Sequence, residues 1–180
     1  MKAQNYGRIV YTASSTGLFG TSMVGGYGAA KAGLAGLMMV AAHEGAEHGI
    51  VCNALMPNAA SRMALQAAAD WQAARMTRDL SMPPEIGNSM NVEFNTPLAV
   101  WLASAECTAT RGLYSQCLGR QAQVFVGVTH GWQAQRQSAP SVEEIAANWG
   151  RITDAAAGYD VPGSPNEELG LVLSHSLPAG

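Results

Sequence analysis

Two rhythms of apolar and polar positions run along the first third of the chain. Arg8-Ile9-Val10-Tyr11-Thr12-Ala13 follows Gly7 as a short β-branched run and predicts a buried strand. Ser14-Ser15-Thr16-Gly17 closes it with the small polar residues and glycine of a turn. Gly17 to Gly26 is glycine-rich and reads as a loop lying against other backbone. From Tyr27 to about His48 apolar residues return at three- and four-residue spacing: Ala29, Ala30, Leu34, Leu37, Met38, Ala41 and Ala42. That period predicts a helix, and Gly49 supplies its stop. Ile50 to Met56 predicts a second buried strand, ended by Pro57. A strand, a crossover helix and a strand make a parallel βαβ unit. Its right-handed crossover sets the start of the helix, with Tyr27, near the carboxyl end of the first strand, with Ser14. Ligands of open parallel sheets bind outside such ends.

The rest of the chain is less regular. Asn58 to about Pro84 is rich in Ala, Gln and Met and predicts one or two mobile helices, either a lid over the site or an ordinary surface pair. Pro84 to Asn95 reads as a loop. Thr96-Pro97 opens a helix to about Ala105, with Leu98, Val100, Trp101 and Leu102 on its buried side. Gly112 to Cys117 and Gln123 to Val128 predict two further strands, joined as a hairpin across Leu118-Gly119-Arg120. Ser141 and Glu144 form a capping-box pattern that starts a last helix, to about Ala156. The tail after it, with Pro162, Gly163, Pro165 and Pro178, reads as irregular. Trp101 and Trp132 are expected in the core.

Composition narrows the class. Hydrophobic residues make up 48% of the 180 and charged residues 13%, which suits a packed α/β domain. A net charge of −3 without a basic stripe argues against a nucleic-acid partner. No apolar run is long enough to span a bilayer, and no export signal opens the chain. Cys52, Cys107 and Cys117 have no metal-ligand spacing and read as free thiols of a reducing, cytoplasmic setting. His43, Glu44 and His48 read as a solvated helix end rather than a metal site. The glycines of 17–26 fit neither G-x-G-x-x-G nor the P-loop pattern.

The chemistry-bearing residues lie close together. Ser14 stands 13 residues before Tyr27, and Lys31 follows Tyr27 by four, on the same helical face. A phenol, an ammonium and a hydroxyl at one point can move a proton on and off an alcohol oxygen. A cation near a phenol favours its ionised form, and the helix N-terminus acts in the same direction. Ser14 would hydrogen-bond the reacting oxygen. Ser15, one position nearer to Tyr27, is the rival for that role.

Gly7-Arg8-Ile9-Val10, Ser14, Tyr27-Gly28-Ala29-Ala30-Lys31 and Gly49-Ile50-Val51-Cys52-Asn53-Ala54-Leu55-Met56-Pro57 together resemble the short-chain dehydrogenase/reductase family. Residues 12–20 and 52–63, with Pro97 to Leu102 and Gly131-Trp132, look like the 3-hydroxyacyl-CoA dehydrogenase units of peroxisomal multifunctional β-oxidation enzymes. The resemblance implies the C-terminal half of a Rossmann-like, doubly wound parallel sheet over 1–135, followed by a C-terminal helix and irregular tail over 136–180. It implies Ser14, Tyr27 and Lys31 as catalytic residues. Tyr27, Lys31, Pro57, Asn58 and Ala60 would bind NAD or NADP, Lys31 through the nicotinamide ribose hydroxyls. Arg62 could meet a CoA phosphate or simply sit in a surface ion pair. The family's Gly-rich turn, which holds the pyrophosphate, has no counterpart here, so the N-terminal dinucleotide-binding βαβ is expected to be missing and the chain a fragment. The expected activity is NAD(P)-dependent oxidation of a secondary alcohol or reduction of a carbonyl, with 3-hydroxyacyl thioesters as an implied substrate; it is expected only with the missing N-terminal half present, the isolated chain being inactive. The alternative is an inactive remnant that keeps the family's homo-oligomer contact through the helix from Tyr27.

Overall fold

A computed structural model describes residues 1–63, 65, 66, 69, 86, 88–135 and 137–176. The chain packs as two units, Met1–Val124 and Phe125–Gly180. This boundary precedes residue 135, the division expected from the sequence.

The first unit is a four-stranded sheet with helices on both faces. The strands are β1 (Gly7–Thr12), β2 (Ile50–Pro57), β3 (Leu113–Cys117) and β4 (Arg120–Val124), in that spatial order. β1 runs parallel to β2, with Gly7 opposite Ile50 and Thr12 opposite Leu55. β2 runs parallel to β3, with Ala54 opposite Leu113 and Pro57 opposite Gln116. β4 returns antiparallel to β3. The turn between them is Leu118-Gly119, with φ of 53° and 77°. Those left-handed values suit a two-residue hairpin. β4 therefore starts and ends earlier than Gln123 to Val128, and Arg120 belongs to the strand rather than the turn.

Helix α1 (Ser15–Phe19) occupies the start of the expected glycine loop, and α2 (Gly25–Gly45) is the long crossover. A 3-10 turn over Ala46–His48 continues α2 to a left-handed Gly49. One side of α2 buries Ala35, Met38 and Ala42 against Cys52, Ala54, Met56 and Leu113. On the other face of the sheet, α3 (Thr96–Ala103) buries Leu102 against Leu55 and Cys107, with Leu98, Val10 and Tyr114 packed around them. β2 is covered on both faces, which explains why it is apolar apart from Asn53 rather than alternating. Val100 and Trp101 stand out of this packing at 62% and 51% exposure, so the expected buried side of α3 was too wide. The short helix spans about two turns and offers one stripe to the sheet, through Leu98, Ala99 and Leu102. The expected lid over 58–84 lies largely outside the described residues.

Asn53 is buried in β2 and fully engaged. Its Nδ2 donates to the Ala109 carbonyl at 2.7 Å, and its Oδ1 accepts the Gly112 amide at 3.0 Å. It fastens the loop before β3 to the sheet. Arg8 does the same for α3: its guanidinium donates to the Ser104 and Ala105 carbonyls at 3.0 and 3.1 Å and lies 4.5 Å from the Tyr6 ring centre.

In the second unit, β5 (Val128–Thr129) pairs antiparallel with β6 (Tyr159–Asp160). The Ser141–Glu144 capping box forms and opens α4 (Val142–Ala147). Asn148 separates α4 from α5 (Trp149–Ile152), so the expected single helix to Ala156 is two. The tail carries α6 (Pro165–Ser176), where irregular chain was expected. Leu169, Val172 and Leu173 give α6 three- and four-residue apolar spacing that the flanking prolines obscured. Trp132 is partly exposed rather than core and lines a cavity with Val128, His130, Asp160 and Leu171. No described helix is long and apolar enough to cross a membrane.

Candidate active site

The candidate residues Ser14 and Pro57 to Ala60 lie at the carboxyl ends of β1 and β2. The Ala13 amide donates to the Leu55 carbonyl at 2.7 Å, which carries the pairing one residue past β1. Ser14 follows in extended conformation, φ −157° and ψ 147°, and caps α1. Its Oγ accepts the Thr16 amide at 3.2 Å. A hydroxyl that accepts still carries a proton to donate, so capping and a ligand contact are compatible.

Helix α1 lies directly on α2. A Cβ at Gly17 would sit 2.7 Å from the Ala32 amide nitrogen and 2.8 Å from the Lys31 carbonyl carbon. Only glycine permits that approach. Across it, the Lys31 Nζ donates to the Thr12 carbonyl at 2.7 Å, and it lies 5.8 Å from the Tyr27 ring centre. Thus Lys31 reaches the end of β1 two residues before Ser14. Tyr27 lies one helical turn before Lys31 and is 51% exposed. No hydrogen bond joins Tyr27 to Ser14 or to Lys31 among the described residues. Phe19, at the end of α1, and Met23, in the loop that leads to α2, are exposed apolar residues.

Pro57, Asn58 and Ala60 lie at the end of β2 and are exposed. The Asn58 amide donates to the Gln116 carbonyl at 2.9 Å, and the Ala60 amide to the Met90 carbonyl at 2.8 Å. The Asn58 carbonyl accepts Nδ2 of Asn95 at 3.2 Å. The Asn95 carbonyl in turn accepts Nε2 of Gln116 at 3.0 Å. Gln116 is fully buried, and its Oε1 has no hydrogen-bond partner among the described residues. Such an acceptor costs about 1–3 kcal/mol. Sequence reasoning missed both Gln116 and Asn95. A polar residue inside a predicted strand and an asparagine before Thr-Pro are the only signals, and each has a commoner structural meaning. Arg62 is exposed.

The short chain dehydrogenase family model matches residues 1–73. A short-chain type dehydrogenase/reductase of Mycobacterium tuberculosis is 37% identical over 153 residues, covering 85% of this chain and 48% of that protein. This chain belongs to the short-chain dehydrogenase/reductase family. Within that family it is related to the peroxisomal multifunctional enzyme type 2 of Mus musculus, 32% identical over 86% of this chain and 19% of that one. The Rossmann-like α/β fold agrees. The full-length peroxisomal multifunctional enzyme type 2 of Drosophila melanogaster superposes with a TM-score of 0.79 at 24% identity, over 97% of this chain and 29% of that one. An NAD+-bound xylitol dehydrogenase superposes with a TM-score of 0.52 at 25% identity, over 64% of this chain and 49% of that one. The chain spans about half the length, or less, of the short-chain dehydrogenase/reductase relatives it matches.

The donor set suits a nicotinamide ribose. An ammonium offers three donors, and one of those on Lys31 goes to Thr12. The other two remain on the same face of α2 as the exposed Tyr27 phenol.

Proposed function

We propose that this chain carries the proton-handling site of an NAD(P)-dependent oxidoreductase for secondary alcohols or carbonyls. The observation that supports this most directly is the Lys31–Thr12 hydrogen bond. It fastens the Tyr27–Lys31 turn of α2 to the end of β1, where Ser14 begins α1. A bound nicotinamide dinucleotide would supply or take the hydride. Ser14 then donates its hydroxyl proton as a hydrogen bond to the reacting oxygen. Tyr27 gives that oxygen a proton in reduction and takes it back in oxidation. Lys31 would hold the ribose hydroxyls, and the Pro57–Ala60 main chain would line the nicotinamide pocket. The resemblance to 3-hydroxyacyl-CoA dehydrogenase units favours an acyl thioester substrate, and exposed Phe19 and Met23 suit an apolar chain.

Oxidation of 3-hydroxyacyl thioesters, followed as NADH absorbance, tests this reading. Tyr27→Phe should lower turnover by about 10²–10⁴-fold and leave cofactor affinity near that of the parent. Equal turnover in the two proteins would remove Tyr27 from the chemistry.

A second reading rests on a separate observation. Leu37 and Val40 of α2 are more than half exposed, and alanine-sized groups at Gly33 and Gly36 would meet open space. Such a face suits close pairing with a second copy of α2. As an inactive remnant, the chain would keep this homo-oligomer contact and bind no dinucleotide. Calorimetric titration with NADH and NADPH separates the two.

A further inference from the structure

Asn95 stands directly before α3, where an asparagine side chain ordinarily accepts a hydrogen bond from the helix's first amides. It makes no such bond. Its Nδ2 donates instead to the carbonyl of Asn58. The helix loses a cap and the exposed chain after β2 gains an anchor. Gln116 departs from local preference as well. It is a fully buried polar residue in a strand interior, with one side-chain oxygen that meets no donor among the described residues. An apolar side chain of that size would avoid the penalty.

The two departures meet in one ring of three hydrogen bonds. Asn58 donates to the Gln116 carbonyl, Gln116 donates to the Asn95 carbonyl, and Asn95 donates to the Asn58 carbonyl. β2, β3 and the start of α3 are thereby locked together around Asn58. The Ala60–Met90 bond secures the far end of the same segment. Local rules broken together at one point mark a place where position is served ahead of stability.

We infer that Asn95 and Gln116 are positioning residues that hold the Pro57–Ala60 main chain in place beside the nicotinamide. Both act through Asn58. What the segment is held toward rests on the oxidoreductase reading; that it is held rests on the ring alone.

Asn95→Asp replaces the donating amide by an oxygen that cannot donate to Asn58, and it puts a carboxylate at the start of α3, where negative charge is favoured. Gln116→Met removes the donor and the unpartnered oxygen together at similar volume. Amide hydrogen exchange on the 180-residue chain, read at Asn58 and Ala60 against amides in β1 and the middle of β2, should speed up by about tenfold or more at the two loop positions in both variants. Thermal midpoints should stay level or rise. Added NADH should slow exchange at Ala60 in the parent, and its Kd should rise by about tenfold in the variants. Unchanged exchange at Asn58 and Ala60 in both variants overturns the inference. So does a fall in midpoint with exchange raised evenly across the sheet, which would make the ring merely structural. If the parent binds neither NADH nor NADPH, the oxidoreductase reading fails, and exchange still decides whether the ring holds the loop.

Discussion

Gly17→Ala would place a methyl group 2.7 Å from the Ala32 nitrogen and 2.8 Å from the Lys31 carbonyl carbon. Both atoms belong to the main chain of α2 and cannot swing aside. To regain van der Waals separation, α1 must retreat by about 0.7–1 Å. The Gly17 amide donates to the Ser14 carbonyl at 2.9 Å, so the retreat carries Ser14 with it. Overpacking of this kind costs about 1–3 kcal/mol of stability. A displacement near 1 Å at reacting groups costs up to about 100-fold in turnover. Gly33→Ala is the matched control, because a Cβ there meets nothing within 4 Å. In a helix interior it should gain about 0.5–1 kcal/mol through backbone entropy. Guanidinium unfolding of the two variants should therefore move in opposite directions from the parent. A Gly17→Ala protein that unfolds at the parental midpoint would refute the close approach of α1 to α2. A loss at Gly33 instead would point to a partner helix covering that face.

Three further outcomes are expected. Arg8→Met removes guanidinium bonds to Ser104 and Ala105 and the contact with Tyr6. It should cost about 2 kcal/mol in chemical denaturation, and an unchanged midpoint would show that solvent compensates for them. Cys52 and Cys107 are buried while Cys117 is partly exposed, and burial pushes the Cys52 thiol upward. A disulfide reagent should therefore label Cys117 first in the native protein; mass spectrometry finding Cys52 modified first would contradict that burial. Stability should also fall in alkali. Burial raises Cys52 above its ordinary value near 9.0, and burial together with Cys107 raises Tyr114 above 10.0. The folded chain keeps these protons to higher pH than the unfolded chain. Their contribution is complete below about pH 9 and is lost as pH rises through the raised values. Tyr114→Phe should flatten the decline in midpoint above about pH 10, and an equally steep decline would exclude Tyr114 as a cause.

Much of the first unit is legible without coordinates, for local reasons. The β-branched run after Gly7, the three- and four-residue spacing after Tyr27 and the apolar run to Pro57 each encode an element within a few residues. Their order then dictates a parallel crossover. The same periodicity places Tyr27 and Lys31 on one face of α2. Where the local signal is weak, the elements are not legible. Helix α1 is five residues long and hidden among glycines. Asn148 divides what the capping box at Ser141 appeared to begin as one helix. Trp101 looked like core by its type, yet α3 presents only one stripe to the sheet and leaves it outside.

The primary structure alone determined the β1–α2–β2 crossover and the residues that could handle a proton, because hydrophobic period and helical spacing are properties of neighbours in the chain. Only the tertiary structure decided that Lys31 bonds Thr12, that Gly17 must lack a side chain, and that Asn58, Asn95 and Gln116 close a ring. Asn58 and Asn95 lie 37 residues apart, and Asn95 and Gln116 lie 21 apart. Those facts depend on which distant surfaces meet, and burial and hydrogen-bond partners are set by that meeting rather than by any residue's own preference.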